Sequence, residues 1–128
     1  MKDKRKNIDT RIREACNHQD RVGGIDTKKL PPGTIVYAHT RNSIYILEFL
    51  NEKGRCLVEG GKYFTTPTET DFIGSNFGGS VMKMGWIGHK MRMEIINPNK
   101  DNAVLVTTAV RSTRLVGLDW EYEMEWPD

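Results

Sequence analysis

Gly74-Ser75-Asn76-Phe77-Gly78-Gly79-Ser80-Val81-Met82-Lys83-Met84-Gly85-Trp86-Ile87-Gly88 is the stretch on which the reading of the fold turns. Five of its fifteen residues are glycine, yet large apolar side chains stand between them. Glycine inside a strand-like run marks a bulge, a bend, or the close approach of a backbone or ligand. The residues that follow carry a change of phase. Met82, Met84 and Trp86 place large side chains on even positions, whereas Met91, Met93 and Ile95 place them on odd ones. Side chains alternate with a period of two in a strand, so one regular strand cannot hold both sets on one face. A bulge or tight turn is therefore expected at Gly88-His89-Lys90.

The flanks read the same way. Asn97-Pro98-Asn99-Lys100-Asp101-Asn102 has turn composition. Val104, Val106, Thr108 and Val110 alternate beyond it, in a strand expected to pair with Met91–Ile96. Upstream, Thr34–Thr40 and Ile44–Leu50 are rich in β-formers, and the second is apolar on both faces, as a central strand would be. Asn51-Glu52-Lys53-Gly54 reads as a hairpin turn into Arg55–Glu59, which places Cys56 and Val58 on one face. Gly60-Gly61 ends that strand, and Glu69–Ile73 forms another that leads into the glycines. The expectation is an all-β chain: a single small β-barrel or sandwich-like domain of about six or seven antiparallel strands, with barrel closure favoured because glycines let strands coil.

The two ends differ in charge. Residues 1–29 carry nine Lys/Arg against five Asp/Glu, while residues 117–128 carry five carboxylates and no cation; the whole chain is +2. Segment 1–30 reads as a basic, flexible or partly helical arm. Ile8, Ile12 and Ala15 suggest a helix near residues 8–20, ended by Gly23-Gly24. The β domain is expected over 31–116, after Leu30-Pro31-Pro32-Gly33. In the acidic segment 117–128, Trp120, Tyr122, Met124 and Trp126 alternate with carboxylates. That pattern suits a last strand packed on the edge of the domain, or one that joins a second copy in a homo-oligomer.

At 128 residues the chain has room for one modest core. Hydrophobic content is 38% and mean hydropathy is −0.56, with no apolar run of membrane length, so no membrane partner is expected. The basic start leads into polar Asn7–Asp20 rather than an apolar leader. Cys16 and Cys56 then read as thiols of a cytoplasmic protein.

Three motifs carry a resemblance. Thr40-Arg41-Asn42-Ser43-x-Tyr45, Gly60-Gly61-x-x-Phe64 and Gly74-Ser75-x-x-Gly78-Gly79-Ser80-x-x-Lys83-x-Gly85-Trp86-Ile87 together resemble a family of small, uncharacterised bacterial proteins, over roughly residues 33–114. The resemblance implies a single bacterial cytosolic domain and brings no activity, cofactor or catalytic residue with it.

The residue inventory is sparse in chemistry. Cys16, Cys56, His18, His39 and His89 form none of the short paired spacings that metal ligands favour, so no metal or other cofactor is expected. Cys56 sits mid-strand as an inert thiol would, and no Gly-x-Ser-x-Gly elbow surrounds Ser75 or Ser80. The reading leans away from an enzyme, whose sign would be convergence of His39, His89 and a carboxylate. Consecutive amides in a glycine-rich turn can instead form a nest for an anion, with Lys83 beside it. The candidate ligand-binding set is Arg41, Asn42, Ser75, Gly78, Gly79, Ser80, Lys83 and Trp86, for a small polar or anionic ligand of a binding module. The alternative is a nucleic-acid-binding barrel that uses Arg41, Lys62, Lys83, Lys90, Arg92, Arg111 and Arg114 with Tyr45, Tyr63, Phe64, Phe77 and Trp86. Met82, Met84, Met91 and Met93 are expected in the core.

Overall fold

A computed structural model describes residues 2–3, 10–17, 23–78, 81–118 and 120–125. Its elements run β1 (Lys2–Asp3), α1 (Thr10–Ala15), β2 (Cys16–Asn17), β3 (Gly24–Asp26), β4 (Ile35–Thr40), β5 (Ile44–Phe49) and β6 (Arg55–Gly60). They continue with β7 (Phe64–Asn76), β8 (Met82–Met84), β9 (Trp86–Gly88), β10 (Arg92–Asn97), β11 (Ala103–Val116) and β12 (Glu121–Glu125). The chain is all-β apart from one short helix and two 3-10 turns, as the alternating patterns predict.

The main sheet is antiparallel and follows the order β1-β12-β11-β10-β7-β6-β5-β4, with a further pairing of β11 to β4. That last pairing returns the path from β4 to β11. Val110 of β11 bonds Lys90 and Met91 through both its C=O and N–H, and the same residue stands opposite Thr40 of β4. Both backbone groups of a strand residue point to one edge, so β10 and β4 flank β11 on opposite edges. Strands β4, β5, β6, β7, β10 and β11 thus make a closed circuit of hydrogen bonds. A small second sheet, β2-β3-β9, packs beside it with α1.

One core serves the described chain from end to end. It unites Ile12, Ala15, Ile25 and Leu30 with Val36, Leu47, Phe49, Val58, Phe64, Phe72, Met93, Ile95, Leu115 and Met124. Cys56 and Val58 share the inward face as expected, and Phe49 meets Phe72 edge-to-face at 5.7 Å. At about 25 cal/mol per Å² of apolar surface, this cluster is the dominant favourable contribution to folding.

Several boundaries move from the expected ones. The helix covers only Thr10–Ala15, and Gly24 belongs to a strand rather than ending the helix; Ile8 and His18 lie outside the described residues. β7 begins at Phe64 rather than Glu69 and continues through Gly74-Ser75-Asn76. Its proline is tolerated because Phe64 and Thr68, four residues apart, face Gly60 and Val58, two apart, which bulges exposed Thr65–Pro67 out of the ladder. The phase change is resolved as expected: Met91 N–H closes a turn on Gly88 C=O at 3.1 Å, with Lys90 at φ 66°. Met91 and Met93 are buried, but Met82 is half-buried and Met84 is exposed. Those two ride on β8, which among the described residues pairs only with β7, and the positive φ of Gly85 re-aims the chain before Trp86 and Ile87 reach the interior.

In β12, Tyr122 and Met124 are buried against the core and Trp120 is half-buried, while Trp126 lies outside the described residues. β12 has β11 on one edge and β1 on the other, with Lys2 opposite Glu123 and Asp3 opposite Tyr122.

Candidate functional site

The glycine-rich segment is densely bonded within itself. The Ser75 side chain is buried and its hydroxyl donates to the Trp86 C=O at 2.5 Å. Gly74 admits the neighbouring strand: a Cβ there would fall on the Lys83 carbonyl oxygen, so close backbone approach explains this glycine. Asn76 donates to Glu94 Oε2 and accepts from the Gly78 N–H at 2.6 Å, so the amide that would open an anion nest already has a partner. Lys83 Nζ lies 3.8 Å from the centroid of the Trp86 ring, covering an indole that is only 7% exposed. Gly79 and Ser80 lie outside the described residues.

Arg41 and Asn42 occupy the exposed β4–β5 turn, where Thr40 Oγ1 bonds Ser43 through both donor and acceptor roles. Asn42 lines a depression with Lys62, Tyr63, Thr107 and Thr108. The structure therefore brings Ser75, Asn76, Gly78, Lys83 and Trp86 together at β7–β9, and places Asn42 in different company.

That company is the more open surface. Three depressions succeed one another along β11. The first, about 230 Å³, lies against Val104–Val106, Tyr63 and Lys100. The second, about 250 Å³, contains Lys62, Tyr63 and Leu105–Thr108. The third, about 460 Å³, is lined by His89, Lys90, Ala109, Val110 and Arg111. Among the described residues, no Asp or Glu lines any of them.

Local irregularity shapes this face. Between Val106 and Ala109 three steps of β11 oppose two of β10, and between Val110 and Ser112 two steps oppose one of β4. β11 thus holds two bulges within seven residues, and bulges re-aim side chains at barrel rims and sites. The Thr107 hydroxyl repairs the first by accepting the Met93 N–H at 3.0 Å. Lys90, on its turn, is tied to Val110 C=O at 2.8 Å.

Charge is distributed unevenly among the described residues. Lys28, Arg55 and Arg114 engage carboxylates, whereas Arg41, Lys62, Lys90, Arg92, Lys100 and Arg111 have none within ion-pair distance. Of the aromatics considered for stacking, Tyr45, Phe64 and Trp86 are core. Tyr63 is half-buried with Lys62 Nζ 5.6 Å and Lys100 Nζ 5.2 Å from its ring centroid, and Phe77 is exposed. The sequence did carry a signal for this face: Asn102 to Leu118 contains two arginines and no acid.

Other chemistry finds little footing. Among the described residues no three His, Cys, Asp or Glu side chains converge. Burial pushes the Cys16 and Cys56 thiols up to about 12, which suppresses the nucleophilic thiolate. Another depression, about 500 Å³, lies between Pro31–Ile35 and Val116, Gly117, Leu118 and Trp120, with Glu48 the only charged side chain among the described residues lining it. No described helix is long and apolar enough to cross a membrane. Comparison with protein-family models, with curated proteins and with solved structures gives no match.

Proposed function

We propose that this chain is a non-enzymatic binding module, a small closed β-barrel whose ligand is anionic and phosphate-bearing. One observation supports the reading above the others: unpaired Lys62, Lys90, Lys100 and Arg111 border three successive depressions that, among the described residues, no carboxylate lines. Four like charges along one face raise the local positive potential and make the compact state self-repelling unless an anion arrives. The glycine-rich segment then acts as scaffold. Ser75, Asn76, the Gly78 amide and Lys83 are engaged internally, and the segment fixes β9 and the Gly88–Met91 turn from which Lys90 projects.

Titration calorimetry with linear inorganic polyphosphate at low salt tests this. Binding that weakens at least tenfold in the double variant Lys90→Gln/Arg111→Gln, with its thermal unfolding unchanged, is the expected result. Heats of dilution alone for the unsubstituted protein would end the reading.

A further inference from the structure

The face along β11 holds more than charge, and the excess points to the class of ligand. Tyr63 sits where the first two depressions meet, so its ring belongs to both. Val104 and Val106 present apolar surface beside it, each 47% exposed. A ligand that were only a small phosphate would use the cations and leave this apolar strip uncovered.

We propose that the face binds single-stranded nucleic acid, with its phosphates along the cations that border β11 (Lys62, Lys90, Lys100 and Arg111) and a base stacked on Tyr63. The proposal rests on the anionic-ligand reading above and gives that ligand its chemistry. Dimensions agree. From Ala103 to Arg111 there are eight residue steps, about 26 Å at roughly 3.3 Å each. A stacked strand advances about 3.4 Å per nucleotide, so this length accommodates roughly eight phosphates, and fewer in a splayed strand. Small barrels of comparable size cover about 4–16 nucleotides.

The two lysines over Tyr63 serve the same purpose. An exposed cation–π contact is weak, and both ammonium groups ride on flexible stems. Each can leave the ring for a phosphate, which opens the ring face to a base as it does so. Trp86 has the same chemistry but is buried beneath Lys83, so it has no face to offer.

A single strand fits better than a duplex. Stacking on a side chain requires a base whose face is free, and paired bases keep theirs within the helix. Duplex readout inserts a helix or β-ribbon into the major groove, and the one helix among the described residues is six residues long with Ile12 and Ala15 in the core.

Fluorescence anisotropy with a labelled twelve-nucleotide oligothymidylate at low salt is the test, with polyphosphate of matched charge and a twelve-base-pair duplex as competitors. The oligothymidylate should bind more tightly than either competitor. With about four phosphates neutralised, log affinity should fall with log salt at a slope near −3, since single strands give about −0.7 per contact. Tyr63→Ala should weaken oligothymidylate roughly 5- to 100-fold, leave polyphosphate unchanged, and be rescued by Tyr63→Trp. Lys90→Gln with Arg111→Gln should weaken both ligands together. Equal affinity for oligothymidylate and polyphosphate, with Tyr63→Ala silent, would overturn the nucleic-acid proposal and leave the anion reading standing. Binding to neither ligand would overturn both.

Discussion

Trp86 and Tyr63 are the same kind of group in opposite circumstances. Each is an aromatic ring with lysine ammonium beside it, at 3.8 Å for Trp86 and at 5.2 and 5.6 Å for Tyr63. Trp86 is 7% exposed, its carbonyl accepts from buried Ser75, and Lys83 closes the remaining face. Tyr63 is half-buried between two depressions bordered by unpaired cations. Burial, and not the identity of the residues, decides which pair holds the fold together and which keeps a ring face near solvent. An aromatic-plus-lysine pattern in the sequence therefore names two candidates and ranks neither.

The largest expected effect separates the two rings by stability. Trp86→Ala removes a buried indole and should cost about 3–5 kcal/mol, as large-to-small core substitutions do. Tyr63→Ala should cost about 1 kcal/mol or less, the range of surface positions with weak contacts. Urea unfolding of the two variants measures both, and equal losses would erase the distinction drawn here.

Gly74 tests the scaffold role of the glycine-rich segment. A side chain at this position meets the Lys83 backbone directly, and backbone yields less readily than a flexible side chain. Gly74→Ala should destabilise by about 1–3 kcal/mol through overpacking, and should spread hydrogen-exchange protection losses across β7, β8 and β9. A variant as stable as the unsubstituted protein would mean that the close approach of β8 is not what requires glycine at this position.

Much of the fold was legible because it depends on local rules. The even-to-odd switch between Met82 and Met93 requires a turn, and the turn closes at Gly88–Met91. Asn51, whose side chain accepts the Lys53 and Arg55 amides, gave its hairpin away by composition. Alternation also identified β10 and β11 as partners, as their register bears out. The failures are of another kind. The strand expected from Glu69 begins at Phe64, because a two-residue bulge lifts Pro67 out of the ladder while β7 continues. The strand expected to end at Ile73 continues through Gly74-Ser75-Asn76, because what makes glycine necessary there is a contact that local sequence does not reveal: the Lys83 backbone of β8 close alongside. The β11 face was hidden for a related reason. Val104 and Val106 alternate as core residues do, and only the bulge at Thr107 turns them outward while Val110 stays inside. Yet the acid-free run Asn102–Leu118 was there to be read.

Burial as the deciding variable also predicts a pH effect. Desolvation raises the Cys56 thiol from its ordinary 9.0 to about 12. An unfolded chain loses that proton near 9, whereas the folded chain keeps it, so between pH 9 and 12 the unfolded state binds fewer protons. Stability contributed by this thiol is then fully present below pH 9 and falls as pH rises toward 12, by about 1.4 kcal/mol per unit at most. Urea midpoints at pH 8 and pH 10 should show the decline, and Cys56→Ala should make it shallower. An identical slope in that variant would mean the thiol is not shielded.

The smallest effect is the most discriminating, because it opposes stability to binding at one residue. Lys90 has φ 66°, a left-handed conformation that a residue with a Cβ adopts at a cost of about 1 kcal/mol. Its N–H still closes onto Val110, so a glycine there would keep the turn and lose the strain. Lys90→Gly should therefore raise stability by about 0.5–1 kcal/mol, a few degrees in thermal midpoint, offset in part by the freedom glycine gains in the unfolded chain. The same change removes one of the four cations along β11 and should weaken polyanion binding severalfold. A strained backbone is tolerated where the side chain it carries is useful elsewhere, and strain of this kind clusters at functional sites. If Lys90→Gly stabilises the protein and binding stays intact, the turn is simply a turn, and the open face along β11 loses its third depression as part of the site.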